Sequence, residues 1–191
     1  TYDEIKIYGD IDDNQIIYFQ PVYVDENQNR VYGFNKQLMT TYQQDLVEKY
    51  IEKYAISIDT EKHRAYLDTN SQTTYEFIFE GLDYLKQYGD VYVSDALKRI
   101  GKKISYNLHV GVSIENDLLK FDISSHEIPK KELQEVLNQY RRKKKFYRLK
   151  NGELLYLESP DLEELSQFMD DYHIDVKDID DGEFSMNKQR M

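Results

Sequence analysis

Cysteine is absent from all 191 residues. Disulfides, thiolate metal sites and cysteine nucleophiles are therefore excluded, and a reducing, cytoplasmic setting fits that composition. No apolar run approaches the roughly 20 residues that a membrane-crossing helix requires, and no charged-then-apolar leader opens the chain. We therefore expect no membrane partner. The chain begins at Thr1 without an initiator methionine, as an excised piece of a longer polypeptide would. The phosphate-cradling pattern G-x-x-x-x-G-K-[ST] is also missing: Gly101-Lys102-Lys103 lacks both the upstream glycine and the hydroxyl residue. The sequence thus carries no nucleotide motor of its own. Four histidines, His63, His109, His126 and His173, are dispersed, and none has the H-x-x-x-H spacing of a metal site. Asp175, Asp178, Asp180, Asp181 and Gly182 resemble a calcium loop, but the alternate-residue spacing fails and Lys188 stands where a closing glutamate is required. No cofactor is expected.

Charge is plentiful, with a net of −11, which disfavours nonspecific nucleic-acid binding by the surface as a whole. It is also segregated. Residues 130–150 carry nine Lys or Arg against Glu132 and Glu135, whereas residues 151–191 carry twelve Asp or Glu against Lys177, Lys188 and Arg190. Two readings stand side by side. Either the runs are solvated faces that attract each other within one domain, or the basic run is a docking surface for phosphates or an acidic partner. Paired carboxylates such as Asp12-Asp13 and Asp170-Asp171 arise by chance in a chain with 36 acidic residues, and they carry no argument for a hydrolase.

In chain order, Glu4–Tyr8 alternates as a half-buried strand does, and a polar turn covers residues 9–14. Gln15–Val24 is a second strand, and Arg30–Phe34 is its returning antiparallel partner. Leu46, Val47, Tyr50, Ile51 and Tyr54 mark a helix that Asp45 and Lys49 support at four-residue spacing. Ile56–Ile58 and Ala65–Leu67 are weaker strands. Thr74 is positioned to cap a helix with Tyr75, Ile78, Phe79, Leu82 and Leu85 on one side, ended by a left-handed Gly89. Val91–Val93 reads as a strand, and Ser94 caps a short helix that Gly101 stops. Ile104 to Ile114 alternates without a break and returns through Leu119, Phe121 and Ile123, which predicts a long hairpin with one buried face.

Residues 130–172 are the most informative. Leu133, Val136, Leu137 and Tyr140 recur on one helical face after Pro129, and no breaker separates that helix from Arg141-Arg142-Lys143-Lys144-Lys145. Asn151-Gly152 between apolar runs predicts a hairpin through a type I′ turn, in which both residues take positive φ. Ser159 caps a further helix with Pro160 at its first position and Leu162, Leu165, Phe168, Met169 and Tyr172 along its face. Tyr140 and Phe146 fit core packing better than base stacking, while Tyr147 suits either.

The segments FYRLKNGELLYLESPDLEELSQF and VGVSIENDLLKFDIS resemble the helicase-associated domain that precedes the motor in bacterial Swi/Snf-type DNA-translocating ATPases. EFIFEGLDYLKQYGDVYVSDALKRI and Tyr8-Gly9-Asp10 extend the likeness over most of the chain. The resemblance implies an accessory role beside an ATPase motor of the same polypeptide and supplies no catalytic residue. Hairpins mixed with amphipathic helices predict an α+β fold of antiparallel hairpins and about four helices. We expect one domain over residues 1–183, with lobes meeting near residue 70, and a flexible tail or link over 184–191. The residues expected to meet nucleic acid are Arg141, Arg142, Lys143, Lys144, Lys145, Arg148 and Lys150. The competing expectation is a protein-interaction or autoregulatory domain that does not touch DNA.

Overall fold

The computed structural model describes residues 2–100 and 102–187. The chain forms two compact units, Thr1–Gly101 and Lys102–Met191. The division falls at residue 101 rather than near 70, because residues 90–93, beyond that point, pair with the first strand of the chain.

In the first unit, β1 (Glu4–Ile11) pairs antiparallel with β2 (Ile17–Val24), and β2 pairs with β3 (Arg30–Tyr32). Helix α1 (Tyr42–Tyr54) is capped by Thr41, whose hydroxyl accepts from the Gln44 N–H while the Gln44 side chain accepts from the Thr41 N–H, a reciprocal capping box. Lys49 and Asp45 form the expected surface ion pair at 3.0 Å. Strands β4 (Ser57–Asp59) and β5 (Arg64–Leu67) extend the sheet on β2. The following helix is capped by Ser71, not Thr74, and runs as α2 (Gln72–Glu76), a π-helical turn Phe77–Gly81 and α3 (Leu82–Leu85). Thr74 is fully buried instead. Gly89 does not adopt a left-handed φ. Its place is set by a close approach, since a Cβ there would lie 2.2 Å from the Ile5 carbonyl oxygen.

Strand β6 (Asp90–Val93) then pairs parallel with β1, giving a mixed sheet ordered β4-β5-β2-β1-β6. Helix α4 (Asp95–Ile100) closes the unit, with the Ser94 hydroxyl accepting from the Leu97 N–H at 3.2 Å. The helix stop expected at Gly101 lies outside the described residues. Alternate sheet residues Ile5, Ile7, Ile17, Phe19, Ala65 and Leu67 share one core with Val47, Ile51, Phe77, Leu85 and Leu97. Period-two burial in the strands meets period-3.6 burial in the helices, which is what a helix layer on one sheet face demands.

The second unit has two three-stranded sheets. In the first, β7 (Lys103–Ile104) runs parallel to β11 (Leu154–Tyr156), which pairs antiparallel with β10 (Phe146–Arg148). In the second, β8 (His109–Glu115), β9 (Leu118–Ser124) and β12 (Glu183–Asn187) lie in the order β12-β9-β8. The long alternation from Ile104 to Ile114 is thus broken at residues 105–108. There the Tyr106 hydroxyl donates to the Tyr156 carbonyl at 2.7 Å and the Leu108 N–H to the Asp161 carboxylate at 2.9 Å. Those bonds turn the backbone away from strand pairing. Nor does β8 bury a face, since all seven of its residues are exposed.

Helices α5 (Leu133–Arg141) and α6 (Pro160–Asp171) complete the unit, the latter with Ser159 as its N-cap and Pro160 in its first turn. Val136 and Leu137 from α5, Leu162 and Met169 from α6, and Ile123 and Leu155 from the sheets form one core. Residues 184–187, expected as tail, belong to β12, and Phe184 stacks on Phe121 at 4.8 Å between ring centres. The remaining expected tail, residues 188–191, lies outside the described residues. Asp180 and Glu183 exchange backbone bonds of 2.8 Å across Asp181-Gly182, at φ 49° and 79°. The aspartates that resembled a calcium loop therefore build a type I′ turn, and Asp175 caps the 3-10 turn Val176–Asp178. No helix among the described residues is long and apolar enough to cross a membrane.

Candidate nucleic-acid interface

The basic stretch opens with a 3-10 turn, Lys130–Glu132, that leads into α5. Lys130 is drawn away from any common cationic face, because its ammonium pairs with the Asp122 carboxylate at 2.8 Å, and that hydrogen bond raises its pKa. Helix α5 does not run on to Lys145 as its unbroken sequence predicts. It ends at Arg141. Lys143 takes φ 61°, and the N–H groups of Lys143 and Lys144 donate to the carbonyls of Tyr140 and Gln139 at 2.9 and 3.2 Å. This is the paired closure of a Schellman motif, which satisfies carbonyls that the helix end would leave open. The same closure ends α6, where His173 (φ 56°) and Ile174 donate to Asp170 and Met169. Lys143 thus occupies a position that favours glycine, and Lys143→Gly should stabilise the protein by about 0.5–1 kcal/mol. Urea unfolding midpoints of the two forms check this, and a lower midpoint for the glycine form contradicts it.

Reversal at Lys143 has a consequence for the cations. Along a continued helix they would fan out by about 100° per residue. After the reversal Arg141, Lys143, Lys144 and Lys145 line one open groove of about 460 Å³ beside Tyr140, Leu157, Glu158, Ser166 and Asp170. All five residues of the run 141–145 are exposed. The Lys145 carbonyl accepts from the Leu157 N–H at 2.8 Å, which ties the run to the strand ending opposite it. Arg142, Arg148 and Lys150 do not line that groove.

The attraction between the basic and acidic runs is realised where the Arg141 guanidinium meets the Asp170 carboxylate of α6. Ser166, Glu158 and Asp170 were not foreseen as part of this site. Their only sequence signal was the acidic character of residues 151–191, because it takes the packing of α6 on α5 to bring residue 170 to residue 141.

Strands β10 and β11 are joined as the sequence predicts, but through a different turn. The Gly152 N–H donates to the Leu149 carbonyl at 2.9 Å and the Leu149 N–H to the Glu153 carbonyl at 2.8 Å. Gly152 alone has positive φ, at 92°, and the Asn151 carboxamide oxygen accepts from the Glu153 N–H at 2.9 Å. That is a type I turn followed by a left-handed glycine, not type I′. The Lys150 N–H donates to the carboxylate of Glu132, a residue that is only 5% exposed. Tyr147 lies against the same carboxylate, and burial followed by the Glu132 charge raises its pKa. Tyr140 packs against the core and its pKa is raised, first by burial and then by Glu163. Phe146 is fully buried. Phe146 is therefore not presented for base stacking, whereas Tyr147 is half-buried against the core. Among the described residues, no group of three or more His, Asp or Glu is arranged to hold a metal ion.

No curated protein and no solved structure matches the chain. The family described as bacterial SNF2 helicase associated matches residues 7–191. Since that match spans both units and every segment on which the resemblance rested, the chain belongs to the bacterial SNF2 helicase associated family.

Proposed function

We propose that this protein is a non-catalytic accessory domain of a Swi/Snf-like DNA-dependent ATPase, and that its basic groove contacts the phosphate backbone of duplex DNA. The observation that carries the reading is the clustering of Arg141, Lys143, Lys144 and Lys145 around one open groove in a chain of net charge −11. Such a cluster recognises phosphates through charge and hydrogen bonding and is indifferent to base sequence. ATP hydrolysis belongs to the motor, because this chain lacks the glycine-lysine cradle that the reaction requires. A second reading is a contact with the motor that does not touch DNA. It is favoured by Glu158 and Asp170, which stand in the same groove and repel phosphate.

The triple variant Arg141→Glu/Lys144→Glu/Lys145→Glu, at three exposed residues of the groove, separates the two. On the first reading the wild-type chain binds duplex DNA at low ionic strength, with an affinity that falls by roughly 0.9 logarithmic units per phosphate contact for each tenfold rise in salt. The triple variant should lose that binding while its melting temperature moves little, since exposed charges each contribute about 0–1 kcal/mol. Fluorescence anisotropy with a labelled duplex measures it. Failure of the wild type to bind DNA, together with binding to purified motor that the triple variant loses, establishes the second reading.

A further inference from the structure

The sheet β12-β9-β8 is wider than the helix layer that covers it. Its inward rows are Val110–Ile123, Val112–Phe121–Phe184 and Ile114–Leu119–Met186. Phe121, Ile123, Phe184 and Met186 are buried, with the Phe168 ring of α6 lying 5.4 Å from Phe121. In the same rows Val110, Val112 and Ile114 are 46%, 59% and 61% exposed. On the opposite face β8 carries His109, Gly111, Ser113 and Glu115, as a solvated face does. The apolar face of the core therefore continues one strand beyond its cover. Monomeric proteins seldom leave contiguous aliphatic side chains on an edge strand, because such a surface invites association.

The space beside the overhang is a groove of about 330 Å³, with Val110 and Val112 as floor, Leu165 and Phe168 as wall, and Asp161 and Glu164 on its rim. Its shape selects a helix. A strand added to the edge of β8 would lengthen the overhang and leave the three aliphatic side chains uncovered. A helix about 10 Å across spans roughly two strands at about 4.8 Å spacing, and the strip left open beside α6 is one strand wide plus the free edge. The charge of the rim selects the sign of the partner. Both charged residues lining the groove are acids. A second copy of this chain would bring two such rims together at a net charge of −11 each, so self-association is disfavoured.

We infer that β8 and α6 form a docking groove for a basic amphipathic helix of the SNF2 motor, with aliphatic residues on Val110, Val112 and Ile114 and Lys or Arg toward Asp161 and Glu164. This rests on the reading that the chain works beside such a motor, and it is independent of whether the basic groove meets DNA. Helix-in-groove recognition of this kind uses anchors at i, i+3, i+4 and i+7.

The test adds the motor domain of an SNF2 ATPase carrying this domain to the 191-residue chain and follows amide hydrogen exchange. Exchange at residues 109–115 and 161–168 should slow at least about tenfold. Val112→Glu/Ile114→Glu should weaken motor binding at least about 100-fold, and Glu164→Lys about fivefold, with a reduced salt dependence. The two valine and isoleucine positions are exposed, so the double variant should melt like the wild type and retain any DNA binding. Protection confined to residues 141–158, or undiminished motor binding by the double variant, overturns the groove while leaving the motor reading intact. Sedimentation of the wild type as a dimer that the double variant disperses assigns the face to a second copy and overturns the inference. No motor binding by the wild type overturns both. If the double variant fails to fold, the exchange pattern of the wild type decides alone.

Discussion

Gly182→Val should destabilise the protein by about 3–4 kcal/mol, a large share of the roughly 5–15 kcal/mol that holds a domain folded. Two costs coincide at that position. Its φ of 79° is one that a β-branched residue rarely adopts, and a Cβ would stand 2.6 Å from the Ile123 carbonyl oxygen. The carbonyl cannot retreat freely, because the Ile123 N–H donates to the Gly182 carbonyl at 2.7 Å and fixes the two backbones together. Gly152→Val supplies the control. Gly152 has φ 92°, but the nearest atom to its Cβ position is the end of the Arg148 side chain at 3.9 Å. Only the torsional cost remains there, about 1–2 kcal/mol. Urea unfolding of both variants separates collision from torsion, and equal destabilisation by the two would show that the Ile123 contact relaxes.

The second large effect is expected at Glu132. This carboxylate is buried, and it accepts the Lys150 N–H at 3.0 Å within the turn that joins β10 and β11. Glu132→Ala leaves that donor without a partner and opens space in the packed turn, at a cost of about 2–3 kcal/mol. Glu132→Gln keeps an oxygen in place and should cost about 1 kcal/mol or less. Chemical denaturation distinguishes them. If glutamine is as damaging as alanine, the negative charge rather than the hydrogen bond matters, and Glu132 then belongs with the electrostatics of the basic stretch. Neither substitution should change the charge lining the groove.

Much of the fold was legible because it rests on periodicity. Alternation places β1, β2 and β9, and the three-and-four spacing of Leu133, Val136 and Leu137 or of Leu162, Leu165 and Met169 places α5 and α6. Where the reading failed, a distant partner decided. Val110, Val112 and Ile114 alternate as well as Phe121 and Ile123 do, but alternation cannot say how wide the covering helix layer is. The break after Ile104 depends on acceptors at Tyr156 and Asp161, some fifty residues away. Likewise Arg141 to Lys145 contain no breaker, and it is Lys143 itself that turns the chain left-handed. The candidate site was named from composition, and the groove unites four of its seven residues. The type I′ turns occur at Asn116-Asp117 and Asp181-Gly182, whereas Asn151-Gly152, the strongest short-range signal, adopts a different one.

The way each unit ends has a consequence for the order of folding during synthesis. Unit one places its first strand against residues 90–93, and unit two places β9 against residues 183–187. The sheet of unit one and the β12-β9-β8 sheet of unit two therefore wait for residues near the end of their own unit before they are complete. Long sequence separation slows such closure and leaves unpaired strand edges exposed in the interval. Because the ribosome delivers residues 90–93 well before Lys143, Lys144 and Lys145, the first unit can finish while the second is still unmade. The nascent acidic run 151–187 emerges later still, when the cationic segment it must pack beside is already outside the tunnel and open to any nearby polyanion. Ribosomal RNA is the most abundant polyanion there, so closure of β12 on β9 also sets how long that competition lasts.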